Sequence, residues 1–356
     1  MNVSSIMRFL TAHNHRAIYL GWVGYGNLGD EALYTAIRQL FGDRLTFFAP
    51  KFIGSRLTSL APNLHIDVVF LGGGTLIGRE NINIRLQSAF DAYPTATFVA
   101  VGTGVLDYTL WQSFGATMNT TSWQKTLDRF DLLTVRGPLS LNHLAQMNIQ
   151  HKARITGDPV LWLGRATTQV KPKKKRVGLN LGPSSGLIHG RDEAGVAQFG
   201  ANLLRHLEQQ GWEVTLFPMI PEDEAYLQAI VTEAKITSVQ FHRKYHNLTA
   251  TLAALEKQDV FIGEKLHSVV LANCVHIPAI MLEYRTKCRD YMMSMDQEHL
   301  TFRTDELDVH RIYDTLFALY NESEVYQSHL ASRIQYWQHQ LKQTADDVLT
   351  IMTHEH

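Results

Sequence analysis

"AIYLGWVGYGNLGDEALYTAI", residues 17–37, holds the transition on which the fold turns. Residues 17–24 form a short apolar run of strand length. Gly24, Gly26 and Gly29 follow, interleaved with Asn27, Asp30 and Glu31. Leu33, Ala36, Ile37, Leu40 and Phe41 then recur at helical spacing. A strand that passes through a glycine turn into an amphipathic helix is the first half of a βαβ unit. Two explanations fit the polar turn. Asn27 and Asp30 cap the helix from Ala32, or the turn is a binding site built from backbone N–H groups.

The scheme recurs along the chain. "LTFFAP" (45–50), "IDVVFLGGGTL" (66–76), "TATFVAVGTGV" (95–105) and "LLTVRGPLS" (132–140) read as strands, the last leading into a helix that ends near Met147. The second half repeats it with strands at 176–182, 213–219, 259–263 and 277–284, and helices over 192–210, from Glu222, over 247–258 and from about His267. "RATTQVKPKKKR" (165–176) has no apolar periodicity and reads as a linker. The stretch from Val309 to Thr350 reads as helical, with Ile312, Leu316, Leu319 and Tyr320 on one face. The expected fold is α/β, with two Rossmann-like doubly wound domains facing across a cleft. Residues 1–165 form the first domain, 166–176 the linker and 177–308 the second; helices in 309–356 are able to cross back. Ligands in such sheets bind beyond the carboxyl ends of the strands.

The bulk numbers narrow the function. A chain of 356 residues suits two domains. A formal net charge of −1 argues against a nucleic-acid binder. Two cysteines give no disulfide framework, no apolar run reaches membrane-spanning length, and the opening residues make a poor signal peptide, so a cytoplasmic protein is expected. "KPKKKR" (171–176) holds five cations in six residues; it is a solvated linker or a point of peripheral contact with an anionic membrane.

Several residues at strand ends have the chemistry of a site. Gly72, Gly73 and Gly74, followed by Thr75, allow close backbone approach to a ligand, or simply make a tight turn. The GxGNxGD spacing misses the dinucleotide fingerprint and no P-loop GK[ST] occurs, which argues against nicotinamide and simple nucleotide-triphosphate chemistry. Arg136 can grip a phosphate or carboxylate in a bidentate fork, or form an ion pair at the surface. "GEKLHSVVLANC" (263–274) sets Glu264, Lys265, His267 and Ser268 at a helix entrance, which favours anions. His267 is a candidate acid or base because histidine titrates near neutrality. Lys287, with Arg285 and Arg289, adds positive charge beyond the next strand or forms a solvated basic loop. No metal-ligand spacing appears, so no bound metal is expected.

Taken together, "GYGNLGDEA", "FLGGGTL", "TVRGPLS", "TGDPVL" (156–161), "GEKLHSVVLA" and the lysine after "IPAIMLEY" resemble the polysaccharide pyruvyl transferase family, in the family's order, over residues 21–290. The resemblance implies a GT-B-like fold and transfer of a pyruvyl group from phosphoenolpyruvate, with no cofactor, onto a cell-surface polysaccharide or its lipid-linked precursor. The family's active-site arginine falls on Arg136, its histidine on His267 and its downstream lysine on Lys287. Lys265 stands where the family commonly has arginine, which keeps the charge and loses the fork. On this reading Arg136, Lys265, Lys287 and Ser268 hold the donor and His267 moves a proton. Gly26, Asn27, Gly29, Asp30, Glu31, Gly73, Gly74 and Thr75 then line the cleft or hold the acceptor, with Asp30 and Glu31 either bonding sugar hydroxyls or only capping the helix. A GT-B glycosyltransferase using a nucleotide sugar and a non-catalytic carbohydrate-binding protein are the alternatives.

Overall fold

The structure is a computed structural model that describes residues 13–49, 65–149, 152–165 and 173–354, with Phe9 and Thr11. The chain divides into two compact units. Met1–Tyr25, Asp30–Trp162 and Trp337–His356 make the first; Gly26–Gly29 and Leu163–Tyr336 make the second.

The first unit carries β1 (His15–Leu20), α1 (Leu28–Phe41), β2 (Leu45–Phe48), β3 (Val68–Leu71), β4 (Thr75–Ile77), α2 (Glu80–Ala92), β5 (Thr97–Val105), α3 (Tyr108–Ser113), α4 (Thr120–Leu127), β6 (Leu132–Val135), α5 (Pro138–Gln146) and β7 (Ala153–Ile155). Its strands are all parallel, in the order β2-β1-β3-β5-β6-β7, with β4 paired to β5. Every residue of β3 and β5 is buried, as a sheet covered on both faces requires. Helix α1 starts at Leu28, before the expected Ala32, because the Asn27 side chain accepts from Gly29 N at 2.9 Å.

The second unit carries β8 (Arg176–Asn180), α6 (Glu193–Gln209), β9 (Glu213–Leu216), α7 (Pro221–Ala234), β10 (Gln240–Phe241), α8 (Leu248–Leu255), β11 (Val260–Gly263), α9 (Leu266–Cys274), β12 (Ala279–Glu283), α10 (Thr286–Ser294), β13 (Thr301–Arg303), α11 (Val309–Asn321) and the start of α12 (Ser323–His354). Its six parallel strands run β10-β9-β8-β11-β12-β13. That is the 3-2-1-4-5-6 order of dinucleotide-binding sheets, whose direction of winding reverses between β8 and β11. Asp192, Asn247 and Asp308 cap α6, α8 and α11 by accepting from Gly195 N, Ala250 N and Arg311 N.

The stretch expected to be helical over 309–350 forms two helices, with a break at Glu322. The later part of α12 groups with the first unit. There Leu341, Ala345, Val348 and Met352 join Ala17, Tyr19, Ile37, Phe41 and Phe70 in one apolar cluster. Thr344 Oγ1 meets Thr156 Oγ1 at 3.0 Å, and Arg154 pairs with Asp347.

Residues 166–172 of the expected linker lie outside the described residues. The remainder of the basic run is tied into the second unit. Asp259 Oδ2 accepts from the backbone N–H groups of Lys174 and Arg176, both at 2.9 Å. Lys173 Nζ donates to Asn321 O at 2.9 Å and Lys175 Nζ to Gln210 O at 3.2 Å. Among the described residues no helix is long and apolar enough to cross a membrane.

Candidate functional site

In the first unit the predicted residues gather where β1, β3 and β5 end. Gly73 N donates to Tyr19 Oη at 3.2 Å, and Thr103 Oγ1 donates to Gly72 O at 2.8 Å. A Cβ on Gly72 would strike the Tyr19 ring, and one on Gly73 would strike Leu33. Packing against the buried Tyr19 ring therefore demands glycine at 72, whereas at 73 the obstacle is the end of the flexible Leu33 side chain. Gly74 has a φ of +92°, and a Cβ built there would lie 3.6 Å from Asp30 Oδ1. Asp30 thus faces the glycine turn. Glu31 reaches back instead and accepts from Gly24 N at 2.5 Å.

Arg136 is fully buried, not at the surface. Its Nε lies 2.8 Å from Asp158 Oδ2, and both side chains have 0% exposure. Its Nη1 and Nη2 are buried without a hydrogen-bond partner among the described residues. A Cβ on Gly104 would lie 3.2 Å from Nη1 and 3.1 Å from Thr75 Oγ1, so Arg136 and Thr75 flank the same glycine. The sequence reading missed Asp158, although "TGDPVL" lay among the motifs carrying the resemblance.

In the second unit the cluster forms at the carboxyl ends of β8, β11 and β12, on both sides of the point where the winding reverses. Asn180 ties three elements together. Its Nδ2 donates to Phe217 O at 2.8 Å and its Oδ1 accepts from Lys265 N at 2.9 Å. Lys265 Nζ donates to Pro183 O at 2.5 Å and to Ser184 Oγ at 3.3 Å. Glu264 is buried and accepts from Gly182 N at 2.9 Å. Burial pushes its pKa up to about 7, against the pull of the Lys265 charge. Asp223, in the first turn of α7, is also buried and accepts from Met219 N at 2.9 Å. Burial raises its pKa too, again opposed by Lys265. Asp223 sits in the acidic "PEDE" run, which read only as a helix start; nothing in that pattern marked one carboxylate as buried.

Tyr284, just past β12, organises the cations. Its ring has Lys287 Nζ at 4.9 Å, Arg285 Cζ at 5.0 Å and Lys265 Nζ at 5.5 Å from the centroid. Arg285 Nε also donates to Leu187 O at 2.7 Å. Arg289 is committed elsewhere, to Glu283 at 2.7 Å and Glu298 at 2.8 Å. His267 lies in the first turn of α9, half-buried, and a Cβ on Gly29 would strike its ring. Gly29 belongs to the same unit, held there by Leu28 N donating to Met219 O at 3.0 Å. Gly26 has a φ of +79° and packs near Pro221. Ser268 is turned inward: it is buried and its Oγ donates to Lys265 O at 2.7 Å, bracing the helix start. Among the described residues no three His, Cys, Asp or Glu side chains are grouped to hold a metal ion.

The two parallel α/β units define a GT-B-type fold. It is shared with the UDP-GlcNAc 2-epimerase of Methanocaldococcus jannaschii at a TM-score of 0.58, with 11% identity over 86% of this chain and 93% of that one. A glycosyltransferase of Rickettsia africae matches at 0.56, with 10% identity over 97% and 99% of the two chains. The Neisseria meningitidis UDP-GlcNAc 2-epimerase bound to UDP-GlcNAc also matches at 0.56, with 10% identity over 89% and 94%. No curated protein matches the sequence. The polysaccharide pyruvyl transferase family model matches residues 27–286, well over half of the chain, and the protein belongs to that family.

Proposed function

We propose that the protein transfers a pyruvyl group from phosphoenolpyruvate to two hydroxyls of a saccharide, forming a cyclic ketal and inorganic phosphate. The observation that carries this reading is the set of three cations around Tyr284, in the same unit as His267. Phosphoenolpyruvate bears a phosphate and a carboxylate, and several converging cations suit both. Lys287 and Arg285 hold the donor, and Lys265 adds its charge from the loop that it braces.

Protonation of the donor methylene by His267 makes C2 electrophilic, and a sugar hydroxyl adds there and loses its proton. Phosphate leaves with the C–O bond pair, and a second hydroxyl closes the ketal with loss of another proton. His267 accepts one of these protons and is ready for the next cycle.

The test is incubation with phosphoenolpyruvate and candidate saccharides, following phosphate release and product mass. A ketal-sized mass gain with stoichiometric phosphate supports the reading. Turnover of a nucleotide sugar without use of phosphoenolpyruvate replaces it with glycosyl transfer, and ligand binding without turnover of either leaves a carbohydrate-binding protein.

A further inference from the structure

Two large aromatic side chains just past β1 lie partly outside the core. Trp22 and Tyr25 are each 44% exposed, and their rings stack on one another at 4.7 Å between centroids and 25° between planes. Aromatic rings of this size ordinarily bury most of their area. Here nearly half of each is open to solvent at the carboxyl end of the first strand, where the sheet order reverses between β1 and β3.

The backbone that carries them is held in place. Gly24 and Gly26, on either side of Tyr25, have φ of +83° and +79°, a region open to glycine at little cost. Glu31 accepts from Gly24 N at 2.5 Å and fastens the loop to the first turn of α1. The glycines and Glu31 therefore present a preformed aromatic face, which limits the ordering cost of binding.

We propose that Trp22 and Tyr25 form a stacking platform for a pyranose ring of the acceptor saccharide. This rests on the reading that the acceptor is a saccharide. One face of a pyranose is a flat array of C–H bonds with partial positive charge, which complements the negative face of an aromatic ring. The Glu31 carboxylate, bonded to Gly24 N in the same loop, has lone pairs left to accept from sugar hydroxyls and repels a phosphate, which favours a neutral sugar over a nucleotide here.

The test uses the full chain on an array of phosphate-free hexopyranose and N-acetylhexosamine oligosaccharides of one to four rings, beside immobilised uridine and adenosine. Wild-type protein is retained on at least one saccharide. Trp22→Ala and Tyr25→Ala each lower that affinity by about tenfold, the scale of one lost stacking face, while Trp22→Phe stays within about threefold. Thermal midpoints within about 2 °C of wild type show that the variants are folded. Absence of saccharide retention by the wild type, unchanged affinity in both alanine variants, or stronger retention on the nucleosides overturns the platform. A separate titration with phosphoenolpyruvate distinguishes the two readings. Ring-dependent saccharide binding without phosphoenolpyruvate binding removes pyruvyl transfer and leaves the platform standing; the reverse removes only the platform.

Discussion

In the first unit the central cation is sealed: Arg136 and Asp158 face each other at 2.8 Å with neither side chain exposed. In the second unit Lys265, Arg285 and Lys287 remain partly exposed around one tyrosine ring. Both sites lie at the carboxyl ends of parallel strands, yet they do different things with charge. A buried pair sets a fixed field and depends on both partners, because removing one leaves an uncompensated charge in a poor solvent. Half-exposed cations cost little to solvate and stay open to an arriving anion. On the proposed reading, anion capture falls to the second unit and the first supplies a rigid polar floor.

Four experiments would break or sharpen that contrast. The largest effect is expected for His267→Gln, which keeps hydrogen bonding and cannot titrate. Single-turnover pyruvyl transfer should fall about 10²–10⁴-fold, the range for a lost general acid–base, while phosphoenolpyruvate affinity falls far less. Turnover within a few-fold of wild type would take the proton transfer away from His267.

Next comes Asp158→Ala, which strands the Arg136 guanidinium. Denaturant unfolding should show a loss of about 3–5 kcal/mol. Arg136→Lys should lower stability as well, since an ammonium cannot fill the guanidinium's fully enclosed place. A midpoint equal to wild type in both variants would show that the pair is not sealed.

Lys287→Ala should weaken phosphoenolpyruvate binding by about ten- to a hundredfold, the worth of roughly 1.5–3 kcal/mol for a charged hydrogen bond. Stability should hardly move, because the side chain is only half-buried. Isothermal titration beside a thermal melt checks both parts, and equal donor affinity would exclude Lys287 from the site.

The last experiment concerns pH. Glu264 is raised from 4.5 to about 7, so the folded state binds more protons than the unfolded chain between those values. Its contribution to stability is therefore full below pH 4.5 and is lost as pH rises through about 7. Glu264→Gln keeps an acceptor for Gly182 N and removes the titration. Melts across this window should show a flatter decline in the variant; parallel curves would mean that Glu264 is ionised throughout.

Periodicity and spacing alone determined the alternation of strands and helices, because apolar runs and glycine turns are written locally. "GEKLHSVV" could be placed at a strand end for the same reason, and the ordered motifs carried the family. Short strands such as β4, β10 and β13, two or three residues long, were beyond that reading because so few residues hold no period. The break at Glu322 escaped it as well, since no proline or glycine marks it.

Only the tertiary structure decided which charges are sealed and which are open. Arg136 and Asp158 are separated by 22 positions, and the pairing of β6 with β7 brings their strand ends side by side. Lys265, Arg285 and Lys287 meet on Tyr284 because β11 and β12 are neighbours in the sheet. Asn27 to Glu31 look alike as a polar turn, yet the fold separates what they do. Asn27 caps α1, Gly29 makes room for His267, Asp30 faces Gly74 and Glu31 fastens the loop under Trp22 and Tyr25. Burial and long-range contact are properties of the packed chain, and a linear pattern carries them only where a local period happens to report which face is inside.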